Sequence, residues 1–334
     1  MAQEADRAAR TALPGAVLVA GPTASGKSAL ALALAERLGG VVVNADSMQV
    51  YRDLRVLTAR PTAAEEARVP HALYGVRPAA EPGSVFWWRG AALAAMEAAR
   101  AAGRLPILCG GSGLYFRALS DGLADLPEIP APIRAEARAL LDSLGPHGLH
   151  ARLATADPAT AARLRPSDSQ RLARAWEVWR ASGTGLAAWQ ASGGAPAPWR
   201  FAAVLLDPPR PGLRAAIADR FAAMLAAGAL EEVRALVSAG LDPALPAMRA
   251  HGVPELSAHL RGETTLAEAA ARAVAATGRY TRRQATWFRH HRLAPLVWNI
   301  TTRFDGVEQF SERGIADLLN FLRDSGLTTV SRTA

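Results

Sequence analysis

Residues 21–28 have the types and spacing that most clearly indicate chemistry. They fit the phosphate-binding loop pattern, in which a glycine is followed by four residues and then by Gly-Lys-Ser or Gly-Lys-Thr. Such a loop points backbone N–H groups and a helix N-terminus at one place, which suits a phosphate or diphosphate. The predicted diphosphate-binding residues are Gly21, Pro22, Thr23, Ala24, Ser25, Gly26, Lys27 and Ser28. The pattern leaves open whether the phosphate chain belongs to ATP or to another molecule.

Lys27 is the only lysine among the 38 basic residues of the chain. Since arginine supplies every other positive charge, this position indicates a need for a compact ammonium group. We expect Lys27 to neutralise the terminal phosphate and Ser28 to help hold Mg²⁺.

A carboxylate, Asp46, follows the second apolar segment at residues 41–45. The carboxyl ends of parallel strands lie at one edge of a sheet, so Asp46 should face the phosphate-binding loop. It could coordinate Mg²⁺ through water, act as a general base on a second substrate, or cap a turn or helix. The residues alone leave these roles open.

The flanking sequence contains the elements that must position these groups. Residues 16–20 form an apolar strand before the loop, and residues 28–38 form a helix that ends at Gly39. A third apolar strand at 105–109 runs into a glycine-rich sequence, where Ser112 could donate to a ligand at the same edge. Cys109 is interpreted as an inert buried thiol. These alternations predict an α/β protein with a parallel sheet.

Composition limits the class of protein. The 334 residues, half of them hydrophobic, suffice for one large domain or two smaller ones. One cysteine excludes a disulfide framework, a cysteine-based zinc site and an iron–sulfur cluster. No apolar run reaches membrane-spanning length and residues 1–10 lack a signal-peptide core, so we expect a cytoplasmic protein without membrane contact. The net charge of +8 is compatible with a polyanionic partner.

Two segments carry a surplus of arginine. Residues 130–200, bounded by proline- and glycine-rich stretches, contain nine arginines and five acidic residues and are expected to form a helical insertion. A capping-box pattern at 167–170 predicts a helix in which Arg171 and Arg174 share a face and Trp176 and Trp179 are core residues. The five arginines of residues 278–292, on a helix that begins with a capping box at 265–268, could bind a nucleic-acid backbone or form a solvated face.

Several short motifs follow one another in an order typical of one known family. The phosphate-binding loop precedes Asp-Ser-Met-Gln-Val-Tyr at 46–51, Gly-Gly-Ser-Gly-Leu-Tyr at 110–115 and Gln-Arg-Leu-Ala-Arg at 170–174. Arg-Tyr-Thr-Arg-Arg-Gln at 279–284 and Trp-Phe-Arg at 287–289 complete the set. Over nearly its whole length the chain therefore resembles the bacterial-type tRNA dimethylallyltransferases, also called tRNA isopentenyltransferases.

This resemblance implies a P-loop NTPase-like parallel sheet core flanked by helices, built from residues 1–127 and 201–334. An all-α insertion at 128–200 would bind the tRNA anticodon stem-loop. The implied reaction transfers a dimethylallyl group from dimethylallyl diphosphate to the exocyclic N6 amine of the adenosine 3′-adjacent to the anticodon, in tRNAs that read codons beginning with U. The product would be N6-dimethylallyladenosine, the cofactor Mg²⁺, and the protein a monomer.

The resemblance also implies roles for individual residues. Asp46 would be the base, Thr23 would lie beside Asp46 and the bridging oxygen, and Arg220 would be a second cation on the diphosphate. Ser28 would meet Mg²⁺ at the diphosphate. The implied tRNA contacts are Asp46, Ser47, Met48, Gln49, Ser112, Arg134, Gln170, Arg171, Leu172, Ala173 and Arg174.

The sequence departs from the family pattern in three places. Ser112 replaces the usual threonine, Leu-Thr-Ala-Arg at 57–60 replaces Gly-Thr-Ala-Lys, and residues 249–255 carry Val-Pro where Tyr-Arg or Tyr-Lys is usual. The alternatives are an isopentenyltransferase acting on adenine nucleotides, a P-loop small-molecule kinase with Asp207 at a second acidic strand end, and a non-catalytic RNA-binding module. The first two do not need a basic insertion, and the third does not need Asp46.

Overall fold

The computed structural model describes residues 13–305 and 312–327, which form two compact units. The first unit comprises residues up to 120 and from 197 onward, and the second comprises residues 121–196. The limits of the second unit each fall a few residues before the predicted boundaries, which follow residues 127 and 200. The chain returns to the first unit earlier because the Ala197 N–H donates to the Leu119 carbonyl (2.8 Å) and a core strand begins at Arg200.

A six-stranded parallel sheet forms the centre of the first unit. The strands are β1 (Gly15–Ala20), β2 (Gly40–Asn44), β3 (His71–Ala72), β4 (Leu105–Gly110), β5 (Arg200–Leu206) and β6 (Leu296–Ile300), in the order β3-β2-β4-β1-β5-β6. Every pairing is parallel. The three strands that the sequence predicts are confirmed to within a residue. Since β4 pairs with both β1 and β2, the loops that follow these three strands meet at one edge.

Apolar side chains cover the sheet on both faces. Alternate residues of β1 belong to different clusters: Leu18 packs with Trp88 and Phe116, whereas Val17 packs with Leu34. Strands buried on both faces are typical of parallel sheets covered by helices. The fold is therefore the P-loop NTPase-like arrangement that the family resemblance implies.

The helices of the first unit connect and cover these strands. They are α1 (Lys27–Leu38), α2 (Ala63–Arg68), α3 (Val85–Ala101) and α4 (Gly113–Ser120), and, after the second unit, α9 (Arg210–Ala226), α10 (Ala229–Ser238), α11 (Val253–Leu260), α12 (Leu266–His290) and α13 (Glu312–Asp324). The capping box predicted at the start of α12 is confirmed, with Thr265 and Glu268 bonded to each other's backbone N–H. Among the described residues, every helix is too short or too polar to cross a membrane. Residues 1–10, in which the sequence predicts no signal-peptide core, lie outside the described residues.

The second unit is helical and has its own core. Its helices are α5 (Ala131–Ala156), α6 (Pro158–Ala161), α7 (Ser169–Ser182) and α8 (Leu186–Ala191), and α5 is kinked at Gly145. Trp176 is buried and the partly buried Trp179 packs against the same cluster, as predicted. The predicted N-cap at Ser167 is wrong, because the Asp168 carboxylate accepts from the Arg171 N–H and caps α7 instead.

Candidate active site

The phosphate-binding loop connects β1 to the first turn of α1. Gly26 adopts a left-handed conformation (φ 90°), and a Cβ at this position would lie 1.8 Å from the Phe304 carbonyl oxygen. Only glycine fits both constraints. The segment after β6 braces the loop from behind, since the Phe304 N–H donates to the Ser25 carbonyl (3.0 Å) and Arg303 donates to the Ala24 carbonyl (3.0 Å).

Lys27 lies inside this loop, as its sequence predicts. Its ammonium group donates to the Pro22 carbonyl at 3.3 Å. Burial lowers the pKa of Lys27. Electrostatic interactions with Cys109 and Asp46 raise this pKa, and the positive charge of Arg220 lowers it further. A bound diphosphate would raise this pKa again, because negative charge favours the ammonium form. The loop therefore holds a cation that an anionic ligand would stabilise.

Asp46 follows β2 at the same edge of the sheet. Its Oδ1 accepts hydrogen bonds from the backbone N–H groups of Met48 (2.9 Å) and Gln49 (3.4 Å). The backbone N–H of Asp46 itself donates to the side-chain oxygen of Asn44 (2.8 Å). These bonds fix the carboxylate in a turn, so the turn-capping interpretation applies to Oδ1. In the described part of the chain, no group donates a hydrogen bond to Oδ2. One oxygen is thus held in place while the other is available for a ligand.

A second cation, Arg220, extends from α9 toward the same carboxylate. Burial lowers its pKa, Asp46 raises it, and Arg303 lowers it further. Its guanidinium donates to the Thr58 carbonyl at 3.4 Å, and Gln49 donates to that same carbonyl at 3.0 Å. Arg220 is therefore directed inward and is not a solvated arginine on the surface of the helix.

The turn that carries Thr58 is held by a residue that the sequence did not identify. Glu232, on α10, accepts from the backbone N–H groups of Arg55, Val56 (2.8 Å) and Leu57 (2.8 Å). A single carboxylate thus satisfies three consecutive N–H groups and fixes the segment that faces Arg220.

Ser112 joins the loop after β4 to the loop after β2. Its hydroxyl accepts from the Ser47 N–H (3.0 Å) and donates to the Ser47 hydroxyl (3.3 Å). A Cβ at Gly110 would lie 2.0 Å from the Ala45 carbonyl oxygen, so the two loops approach more closely than a side chain allows. This contact places Ser112 and Ser47 beside Asp46.

Thr23 is held by Gln284 of α12, another residue to which the sequence gave no role. The Gln284 side-chain oxygen accepts from the Thr23 N–H (2.9 Å) and hydroxyl (3.2 Å), and its amide donates to the Gly111 carbonyl (3.0 Å). Tyr280 lies one turn earlier with its hydroxyl beside Ser112 and Gln284, and burial raises the pKa of Tyr280 to about 12. The i, i+4 spacing of these two residues is the one sequence signal that could have revealed this face.

His251, in the segment that departs from the family pattern, lies near the same face. Its ring centroid is 4.9 Å from that of Tyr280. Burial lowers the pKa of His251. The nearby acids Glu255 and Asp46 raise this pKa, and the cations Arg283 and Arg279 lower it. The segment thus contacts the site through an aromatic pair.

Cys109 and Ser28 complete the phosphate-loop region. Burial raises the pKa of Cys109 to about 11, which agrees with its interpretation as an inert thiol. Ser28 is exposed at the start of α1.

The remaining predicted tRNA contacts lie in the second unit. Arg134, Gln170 and Arg171 are exposed, and Arg171 and Arg174 share a face of α7, each beside an acidic neighbour at i±3 (3.5 and 3.2 Å). Leu172 is fully buried in the core of this unit, so its side chain contributes packing there.

Comparison with known proteins identifies the family. The family model described as IPP transferase matches residues 49–291, and the one described as isopentenyl transferase matches residues 14–72. The chain belongs to the IPP transferase family. Relatives named tRNA dimethylallyltransferase from Granulibacter bethesdensis and Gluconacetobacter diazotrophicus are 62% and 61% identical to it. The alignments cover 92% and 96% of this chain and 98% and 97% of those proteins.

Solved structures from this family have the same fold. The tRNA isopentenylpyrophosphate transferase of Bacillus halodurans matches with a TM-score of 0.65 at 30% identity, covering 93% of this chain and 96% of that one. A eukaryotic dimethylallyltransferase, solved acting on tRNA, matches in fold with a TM-score of 0.74 at 23% identity, covering 96% and 81%. These matches confirm the resemblance inferred from the motifs, and the protein is a prenyl-transferring enzyme.

Proposed function

We propose that the protein transfers a dimethylallyl group from dimethylallyl diphosphate to the exocyclic N6 amine of the adenosine 3′-adjacent to the anticodon, in tRNAs that read codons beginning with U. The observation that carries this proposal is the half-bonded carboxylate of Asp46, which lies within electrostatic reach of Lys27 and Arg220 at one sheet edge. A base beside an anion cradle suits attack by an amine on a carbon that bears a diphosphate leaving group.

The phosphate-binding loop and Arg220 bind the donor and stabilise the diphosphate as it leaves. In this proposal, backbone N–H groups of residues 24–27, the Lys27 ammonium and the Arg220 guanidinium would meet the negative charge that grows on the diphosphate. Interactions that strengthen as charge develops lower the barrier to the chemical step. When the allylic C–O bond breaks, its electron pair remains on the diphosphate and is stabilised by these groups.

Asp46 acts on the acceptor. The adenine N6 lone pair is delocalised into the ring, so the amine is a weak nucleophile until its proton is removed. As the N–C bond forms, the proton passes to Oδ2 while Oδ1 stays bonded to Met48 and Gln49. General-base assistance of this kind contributes about 10²–10⁴ in rate. The target base must leave the loop stack to reach Asp46, which costs a few kcal/mol at most.

The residues present fit a magnesium ion held mainly by the donor. Among the described residues, no group of three His, Cys, Asp or Glu side chains could hold a metal ion. Mg²⁺ binds hard oxygen ligands and retains several waters, so Ser28 and the diphosphate oxygens would hold it. When bound, it supplies further charge neutralisation on the leaving diphosphate.

The second unit supplies the proposed grip on the anticodon stem-loop. Arg171 and Arg174 lie on one face of α7, where phosphate contacts would make binding salt-dependent. For a tRNA substrate, we propose that the protein acts in the cytoplasm. We expect the protein to act as a monomer, which light scattering would support if the complex has the mass of one protein and one tRNA, and which the mass of a protein dimer would contradict.

The function is tested by following radiolabelled dimethylallyl diphosphate in the presence of Mg²⁺. Unmodified tRNA should become labelled, whereas AMP should not, and ATP should not be consumed. Label in AMP alone indicates the adenine-nucleotide enzyme, and ATP consumption without transfer indicates the kinase.

Variants separate chemistry from binding. Asp46→Asn should reduce transfer at least about 10²-fold while tRNA binding is retained. Arg171→Ala combined with Arg174→Ala should weaken tRNA binding and flatten its salt dependence. Arg163→Ala combined with Arg165→Ala removes two exposed arginines outside α7 and is the matched control. Full turnover by Asp46→Asn would refute the assignment of the base.

A further inference from the structure

We propose that Gln284 is a positioning residue for the transfer step. It connects Thr23, on the donor side of the site, to the loop that carries Ser112, on the acceptor side. This inference rests on the proposed function, because it concerns the placement of Thr23 relative to Asp46. It assigns no contact with substrate to Gln284 itself.

The hydrogen bonds of Gln284 determine the orientation of its amide. The Thr23 N–H can only donate and the Gly111 carbonyl can only accept, so the side-chain oxygen faces Thr23 and the nitrogen faces Gly111. The Thr23 hydroxyl donates to the same oxygen at 3.2 Å, which fixes its rotamer as well as its backbone. With 5% of its surface exposed, Gln284 has little access to water that could replace these bonds.

Gly111 is what admits the amide between the two loops. A Cβ on this glycine would lie 2.2 Å from the Gln284 nitrogen. The next residue, Ser112, is bonded to Ser47, which adjoins Asp46. A continuous set of hydrogen bonds and two short peptide segments therefore runs from Thr23 through Gln284 to the carboxylate.

Helix α12 is seated on this loop by residues on either side of Gln284. Tyr280 places its hydroxyl beside Ser112, and the Trp287 ring packs on Gly113, where a Cβ would lie 2.3 Å from the ring. Tyr280, Gln284 and Trp287 have i, i+4 and i+7 spacing and so share one face of the helix. The two aromatic residues fix the position of the helix, and the hydrogen bonds of Gln284 therefore fix the position of Thr23.

The test compares kcat and KM of the full chain with Gln284→Met, which keeps the approximate volume and removes all three hydrogen bonds. We expect kcat to fall about 10²-fold, the size of loss that a misplacement near 1 Å produces, with KM for donor and for tRNA nearly unchanged. Thr281→Val is the control, because that hydroxyl is buried on the same helix and has no partner among the described residues. It should behave as wild type.

Gln284→Glu gives a second measurement with a readout that packing alone would not move. A protonated glutamic acid can accept from Thr23 and donate to Gly111, whereas the carboxylate loses the donor. Burial beside a carbonyl raises the pKa of the introduced acid, so its activity relative to wild type should rise about tenfold from pH 8.5 to pH 6. Tyr280 hydrogen-bonds Gln284 and interacts electrostatically with Asp46 and Arg283, and all three groups are present in both proteins. A pH dependence that appears only in Gln284→Glu is therefore assigned to the introduced acid and its interaction with these groups.

The outcomes separate this inference from the proposed function. If wild type transfers no prenyl group to tRNA, the proposed function fails. If wild type transfers and Gln284→Met keeps its kcat, or loses activity only through KM, the positioning role is refuted. Should Gln284→Met fail to fold, a pH-independent ratio for Gln284→Glu refutes the role, and a ratio that rises at low pH supports it.

Discussion

The three hydrogen bonds accepted by Glu232 should contribute both to stability and to catalysis. Removing the carboxylate with Glu232→Ala leaves the N–H groups of Arg55, Val56 and Leu57 without their partner. Arg55 is exposed, so water can replace its bond, but Leu57 is 6% exposed and Val56 is partly buried. The loss therefore amounts to about two hydrogen bonds to a charged group.

At about 1.5 kcal/mol each, the low end of the range for bonds to a charged acceptor, these two bonds make Glu232→Ala destabilising by about 3 kcal/mol. For a unit of this size, that lowers Tm by about 6–12 °C. Glu232→Gln keeps one acceptor oxygen and should lose roughly half as much. The loss should also reach Arg220, whose partner, the Thr58 carbonyl, follows the clamped segment directly.

The assay combines urea unfolding with prenyl transfer measured under conditions in which all variants are folded. Glu231→Ala is the control, because this neighbouring residue is exposed and, among the described residues, its ion pair is with Arg234 at 3.6 Å, an interaction of little net value. Glu232→Ala should unfold at lower urea than Glu231→Ala and show reduced kcat. Identical unfolding midpoints for the two variants would refute the reasoning, and normal kcat would refute the link to Arg220.

Two further predictions concern the phosphate-binding loop and Cys109 of the neighbouring strand β4. Gly26→Ala should abolish donor binding and lower Tm more than the control Gly39→Ala. Both positions have positive φ, but a Cβ at Gly26 meets Phe304 whereas a Cβ at Gly39 meets nothing within 4 Å. Equal losses of Tm would show that the Phe304 contact is unimportant. Cys109, with its pKa raised to about 11, is protonated at pH 8 and should react with iodoacetamide only after unfolding, as mass spectrometry would show; rapid labelling of the folded protein would contradict its burial.

Local features made the donor half of the site predictable from sequence. A phosphate-binding loop depends on backbone conformations that glycine allows, and Lys27 follows directly from the same motif. Asp46 could be placed because parallel strands bring their carboxyl ends to one edge, which is a rule of topology and not of detailed packing.

The residues that hold these groups could not be found in the same way. Gln284 is 261 residues from Thr23, Arg303 is 279 residues from Ala24, and Glu232 is more than 170 residues from its loop. A polar residue at such a distance has no local pattern that distinguishes it from a solvated one. The Ser167 cap failed for a related reason: the motif matched in spacing, but the Asp168 carboxylate was available one residue later.

These distant residues explain how one type of loop can serve different chemistry. The phosphate-binding loop presents N–H groups and a cation to an anion, and that arrangement alone favours neither a nucleotide nor a prenyl diphosphate. What differs is the group that faces the anion. In the proposed function this group is the Asp46 carboxylate, whose Oδ2 receives no hydrogen bond from the described residues. Asn44, Ser47 and Ser112 hold the segment that carries it, and Gln284 links that segment to the loop. Moving the carboxylate is expected to disable transfer while the donor still binds. Asp46→Glu, which extends the acid by one methylene, should therefore bind dimethylallyl diphosphate normally and transfer it poorly; retained transfer would show that the base is less strictly placed than its hydrogen bonds indicate.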